Sequence, residues 1–145
     1  MADLEEIARV AIDCGFKIHS DLGPGMLESF YEAVLASSLM KRGLAVERQK
    51  PIVVEYYGTT FAEGFRADIV VEKSLIIEVK SIERLAPVHG KQLLTYLRLT
   101  GRPLGLLINF GCATFREGVK RVVNNHTDFA SSRLRVNQIA SRDLA

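Results

Sequence analysis

The sequence predicts an α/β fold, a mixed β-sheet flanked by helices in the order helix, helix, three strands, helix, strand. Three observations carry this. Residues 66–71 and 75–80 are β-branched runs of strand length separated by the short polar break Glu72-Lys73-Ser74, the pattern of a hairpin. Residues 104–110 form a near-continuous apolar run after a helical stretch, as a buried strand parallel to its neighbour would. The chain before them repeats apolar residues at helical spacing between cap and stop signals.

Asp3 followed by Glu6 resembles a capping box and opens a helix running through His19. Leu4, Ile7, Ala8, Ala11, Ile12 and Ile18 form its packed face, and Gly15 weakens its middle. Leu22-Gly23-Pro24-Gly25 is a turn. A second helix follows to Lys41, with Gly43 as its stop. Its apolar stripe reads Met26, Leu27, Phe30, Tyr31, Val34 and Leu35, which puts Glu28 on the border and Glu32 further toward solvent. Residues 45–57 are extended, with Pro51 marking an edge strand or a bulge. Gly58-Thr59-Thr60 turns the chain into the strand of Asp68, and Gly64 marks a bulge. Pro87 suits the first turn of a helix ending near Thr100-Gly101. Asn109 is expected to hydrogen-bond backbone, and residues 115–123 are expected to add an edge strand bearing Arg116, Lys120 and Arg121. Residues 1–124 thus read as a single domain, and 125–145 as a loose polar tail with one helical turn.

Size and composition narrow the choice of function. At 145 residues, 48% hydrophobic and 25% charged, the chain has the make-up of one globular domain. Its net charge of +2 leaves any nucleic-acid surface to local clustering. Cys14 and Cys112 form no CxxC pair, so neither a zinc site nor a disulfide framework is indicated. No stretch approaches the ~18 consecutive apolar residues of a membrane span. The N-terminal residues show no basic or apolar leader pattern, and a cytoplasmic location is the expectation.

The hairpin is where chemistry concentrates. Residues two apart on a strand share a face, so Asp68 goes with Val70, and Glu78 with Ile76 and Lys80. The other face (Ala67, Ile69, Val71, Leu75, Ile77, Val79) is wholly apolar. A three-residue loop at 72–74 places Asp68 opposite Glu78, whereas a loop of two or four residues puts them on opposite faces. In the first register two carboxylates meet on a greasy surface, and both proximity and burial disfavour their charge. A divalent hard cation relieves the repulsion by taking oxygens from both, and Lys80 offsets part of it. A cation so held polarises phosphoryl oxygens and activates water.

Asp68 followed by Glu78-Val79-Lys80 resembles the core motif of the PD-(D/E)XK nuclease superfamily, whose fold is restriction-endonuclease-like. Gly25-Met26-Leu27-Glu28-Ser29-Phe30-Tyr31 resembles the signature of the GxxExxY family within it. The stretches 22–25, 47–52, 64–68, 86–89 and 105–111 are similar to that family as well, and the likeness covers roughly residues 5 to 123. The residue before Asp68 is Ala67, not proline, a departure at a position that shapes the strand and is not a ligand.

The resemblance implies an αβββαβ core with an extra N-terminal helix and a metal-dependent nuclease activity on nucleic acid, DNA by family analogy. It implies that Asp68 and Glu78 hold magnesium or manganese, with the Val79 carbonyl as a further ligand. Lys80 would orient or help deprotonate the attacking water. Glu28 would bind a second ion or a water, and Gln92 on the helix after the hairpin would position water or substrate. Expected substrate contacts are Arg66, His89, Tyr96 and Tyr31. Tyr31 is also read as packing on the sheet with its hydroxyl near the site, and His89 also as a plain hydrogen-bonding residue. A homodimer or protein partner is a general expectation for so short a chain embracing a duplex. The alternative is a catalytically silent nucleic-acid-binding or protein-interaction module on the same fold.

Overall fold

The computed structural model describes residues 3–125. Helix α1 (Leu4–Leu22) opens where Asp3 accepts the backbone N–H of Glu6 at 2.8 Å. It runs one turn beyond His19. Helix α2 spans Glu28–Lys41. Strands β1 (Val46–Tyr56), β2 (Thr59–Val71) and β3 (Leu75–Lys80) follow, then helix α3 (Pro87–Thr100) and strand β4 (Leu104–Asn109). The chain ends its described part with the helical turn α4 (Phe115–Gly118) and strand β5 (Val119–Val123). The expected tail lies, apart from Asn125, outside the described residues. No helix among the described residues is long and apolar enough to cross a membrane.

The five strands form one mixed sheet in the order β1-β2-β3-β4-β5. Only β3 and β4 are parallel, joined through α3 as a parallel crossover requires. Pro51 sits in an edge strand, and β1 and β2 slip register between Ile52 and Val54, opposite the stretch holding Gly64. A Cβ on Gly64 would come within 2.9 Å of Val54 Cγ2, so a larger residue there would have to push Val54 aside.

Each face of the sheet is covered by helix, which gives three layers. Ile7, Ala11 and Ile18 of α1 and Tyr31, Leu35 and Leu39 of α2 bury Ile69, Ile77, Leu106 and Ile108. Leu93 and Leu97 of α3 bury Ile52, Phe65, Val70, Ile76 and Leu107 on the opposite face. The central strands are therefore apolar on both sides, which is why they read as continuous hydrophobic runs.

Three local expectations are corrected. Ala67 packs with Val70 and Ile76 beneath α3 and does not share a face with Ile69, because the strict alternation of β2 breaks at Asp68. The buried face of α2 is rotated: Met26, Leu27 and Phe30 are exposed, whereas Glu32 is buried. This exposed apolar group spans the entry to α2 and its first turn, and only from Tyr31 onward is the helix packed. Residues 115–118 form a helical turn capped by Thr114 and Glu117, so only residues 119–123 remain as strand.

Candidate active site

The β2–β3 hairpin has the three-residue loop. Val71 pairs with Leu75, Val70 with Ile76 and Ile69 with Ile77, so Asp68 is the next residue opposite Glu78. The turn closes with the Ser74 N–H donated to the Val71 carbonyl at 2.9 Å, with Glu72 and Lys73 both in left-handed backbone conformation (φ 52° and 55°).

Beyond Ile69 and Ile77 the two strands part, while β3 stays paired with β4 as far as Lys80 and Asn109. The parting leaves backbone amides without ladder partners, and the carboxylates take them. Asp68 donates its N–H to Glu78 Oε2 at 3.1 Å, and Val79 donates its N–H to Asp68 Oδ2 at 2.9 Å. Each acid thus reaches across the split to the other strand's backbone.

Glu78 is only 8% exposed. Burial pushes its carboxyl up to about 8, and the Asp68 carboxylate beside it pushes the same way. The Asp68 N–H and the Lys80 ammonium oppose the rise, and Glu32 adds to it. Tyr96 of α3, stacked on Phe65 at 3.8 Å, has its phenol pushed up by burial and then by the charges of Glu78 and Asp68. The charges of Lys80 and Glu32 thus act on Glu78, and those of both acids act on Tyr96.

The start of α2 closes on the far end of β3. Glu28 Oε2 accepts the Ser81 N–H at 3.2 Å, and the Ser81 hydroxyl donates to the Met26 carbonyl at 2.7 Å. Tyr31 is fully buried and stacks on Phe110 with centroids 4.6 Å apart. Its hydroxyl donates to the Gly23 carbonyl and accepts the Met26 N–H, closing the turn that delivers Glu28. His89 Nδ1 accepts the Ala86 N–H at 2.9 Å, which caps α3. Gln92 is exposed one turn before Tyr96, on the same side of α3. Arg66 is exposed and donates to the Gln49 carbonyl at 3.3 Å. The structure therefore gathers Asp68, Glu78, Val79, Lys80 and Tyr96, brings Glu28 to the residue after Lys80, and leaves Arg66, His89 and Gln92 at the margin.

Two residues join this group without having been foreseen. Glu32, 5% exposed, accepts from Arg48 Nε at 3.0 Å and from Gln49 Nε2 at 2.8 Å. The same Gln49 nitrogen donates to Asp68 Oδ1 at 3.3 Å. The sequence did carry a signal for Glu32: it lies four residues after Glu28 and so shares its helix face. Gln49 carried none.

No group of three or more His, Cys, Asp or Glu side chains placed to hold a metal ion occurs among the described residues. Two carboxylates nonetheless suffice for magnesium, which is bound through one or two of them and completes its shell with water and substrate phosphate oxygens. The donors here are hard oxygens, crowded and partly desolvated, so a dication relieves their repulsion. The residues present fit a hard divalent cation.

A family profile for the PD-(D/E)XK nuclease superfamily matches residues 5–122. The chain belongs to that superfamily. No curated protein and no solved structure matches it. The αβββαβ order, preceded here by α1, is the restriction-endonuclease-like arrangement of this superfamily. Members of the PD-(D/E)XK superfamily are nucleases that generally use divalent metals such as magnesium or manganese.

Proposed function

We propose that this protein is a metal-dependent phosphodiesterase that cleaves nucleic acid, with DNA the expected substrate. The observation carrying the reading is the splitting of β2 from β3, which leaves Asp68 and Glu78 facing each other in a nearly buried notch. A fold does not by itself need two repelling acids there, and their mutual cost is relieved when a cation is shared. Asp68 and Glu78 would hold the ion, with the Val79 carbonyl as a further oxygen. When bound, a dication supplies Lewis-acid polarisation of the phosphoryl group and lowers the pKa of water.

The chain's own groups do the rest. Lys80 is two residues past Glu78 on β3, where Nζ orients the attacking water and stabilises charge developing on the phosphate oxygens. Glu28, whose carboxylate accepts the Ser81 N–H, would bind a second ion or a water. The Tyr96 phenol, pushed up by burial and then by the charges of Glu78 and Asp68, is a hydrogen-bond donor to a substrate phosphate. Gln92 and His89 lie on the approach along α3 and Arg66 on the approach along β2, as contacts for substrate.

The test is cleavage of single-stranded, duplex and branched DNA and of RNA with magnesium or manganese, beside folded Asp68→Asn and Lys80→Ala variants. Wild-type cleavage is expected, reduced about 10²-fold or more in both variants. Retention of full activity by Asp68→Asn would show that the notch is not the catalytic centre. No cleavage of any substrate, with no cation binding that depends on Asp68, would favour a binding module.

A further inference from the structure

We infer that Gln49 is a positioning residue that fixes the Asp68 carboxylate for a divalent cation, anchored through Glu32 and Arg48. The inference rests on the cation site proposed above. Gln49 sits within β1 yet has φ 51°, the left-handed region. A residue other than glycine in that conformation inside a strand costs free energy and persists only where its surroundings enforce it. Glutamine also lacks the short side chain that lets asparagine or aspartate settle there locally.

The consequence of the strained residue is visible on both strands. Arg48 pairs with Ile69 and Lys50 with Ala67, while the position between them, Gln49 against Asp68, drops out of the ladder. The side chains of both residues are then turned toward one another. The Gln49 amide nitrogen lies between Glu32 Oε1 at 2.8 Å and Asp68 Oδ1 at 3.3 Å. Glu32 cannot drift, because it is buried and its other oxygen accepts from Arg48 Nε at 3.0 Å. The backbone of Gln49 is held as well, its carbonyl accepting from Arg66 Nη1.

Asp68 is therefore gripped at both oxygens, Oδ1 by Gln49 and Oδ2 by the Val79 N–H. A carboxylate held at both ends cannot rotate about its terminal bond. The bond to Glu32 is the shorter of the two that Gln49 makes, so the amide is seated on Glu32 and only leans on Asp68. That leaves Oδ1 free to give its second lone pair to a cation without releasing the glutamine. Outer hydrogen bonds of this kind set ligand orientation, and losing one typically lowers cation affinity 10- to 100-fold.

Glycine at position 49 separates side chain from backbone, since it accepts φ 51° and removes the amide. The experiment is calorimetric titration of manganese into the full chain, wild type, Asp68→Asn, Gln49→Gly and Gln49→Asn, each beside a metal-free thermal melt. Gln49→Gly relieves the backbone strain but takes the amide away from the buried Glu32 oxygen. It is therefore expected to fold with a somewhat lowered melting temperature and to bind manganese about tenfold or more weakly. Gln49→Asn, which tolerates the left-handed region but has a shorter amide, is expected to fold and to bind more weakly too. It settles the matter should the glycine variant fail to fold. Wild-type affinity in either folded variant would overturn the inference while leaving the cation site intact. Wild-type binding that is absent or unaffected by Asp68→Asn would instead remove the cation site, and the inference with it.

Discussion

Asp68 and Glu78 are bound to each other through backbone. The amide of Asp68 donates to the Glu78 carboxylate, while the Asp68 carboxylate accepts from the residue after Glu78. The arrangement exists only because β2 and β3 stop pairing one step earlier, after Ile69 and Ile77. Two acids that would repel across an ordinary ladder are here fixed by the amides that the parting of the strands leaves over. Their mutual electrostatic cost remains in the folded protein.

That cost makes the stability of the metal-free protein depend on pH. Burial, with the Asp68 charge beside it, holds the folded Glu78 carboxyl at about 8, against the 4.5 of an ordinary glutamate. Below 4.5 both folded and unfolded forms carry the proton, and the group costs nothing. As pH rises from 4.5 to about 8 the unfolded chain releases the proton while the folded one keeps it, so stability falls. The slope from this group approaches about 1.4 kcal/mol per pH unit and flattens above the folded pKa. Urea unfolding in chelator across this range should show the decline, and Glu78→Gln should lose it, becoming the more stable protein near pH 8. Parallel profiles for the two would mean that Glu78 is not the buried acid described here.

Gly111→Ala should damage the far wall of the site. A Cβ on Gly111 would lie 2.1 Å from the Ile82 carbonyl oxygen and 2.6 Å from its nitrogen, contacts that only backbone movement can relieve. The same Ile82 is bracketed by Asn109, whose Oδ1 accepts its N–H at 3.0 Å and whose Nδ2 donates to its carbonyl at 2.9 Å. Forcing these segments apart should cost about 1–3 kcal/mol and displace Ser81, hence the tether to Glu28. A lowered urea midpoint is the measurement, and a midpoint equal to wild type would contradict the close approach.

The acidic pair was legible because strand periodicity is simple and the hairpin break is three residues long. Asn109 was legible as a backbone partner because an amide in a buried apolar run has little else to bond. The phase of α2 was not legible. Leu27 and Phe30 look like core, yet they sit at the N-cap and on the first turn, where the helix is not packed against the sheet, and both stay exposed. Glu32 looks like surface, yet it is buried because Arg48 and Gln49 arrive from β1 to satisfy it. A helix-wheel reading weighs each side chain alone and cannot supply a partner from another element. Gln49 was hidden for a further reason: its contribution depends on a left-handed φ that nothing in the neighbouring residues announces. The same holds for residues 115–118, where the Thr114–Glu117 cap outweighs the strand propensity of the segment that follows.

Cation affinity should rise with pH for the reason that metal-free stability falls. A carboxylate must be ionised to act as a ligand, so a cation taken by Glu78 would displace the proton it retains up to about 8. Between pH 6 and the folded pKa, apparent affinity for magnesium or manganese should increase by up to about tenfold per pH unit, then level off. Proton release measured in buffers of different ionisation enthalpy should approach one proton per ion at the acid end and shrink toward zero above the folded pKa. Cleavage limited by cation occupancy should follow the same curve at low metal concentration and lose its steepness at saturating metal. Affinity independent of pH over this range, with binding still abolished by Asp68→Asn, would place the ion on Asp68 without Glu78.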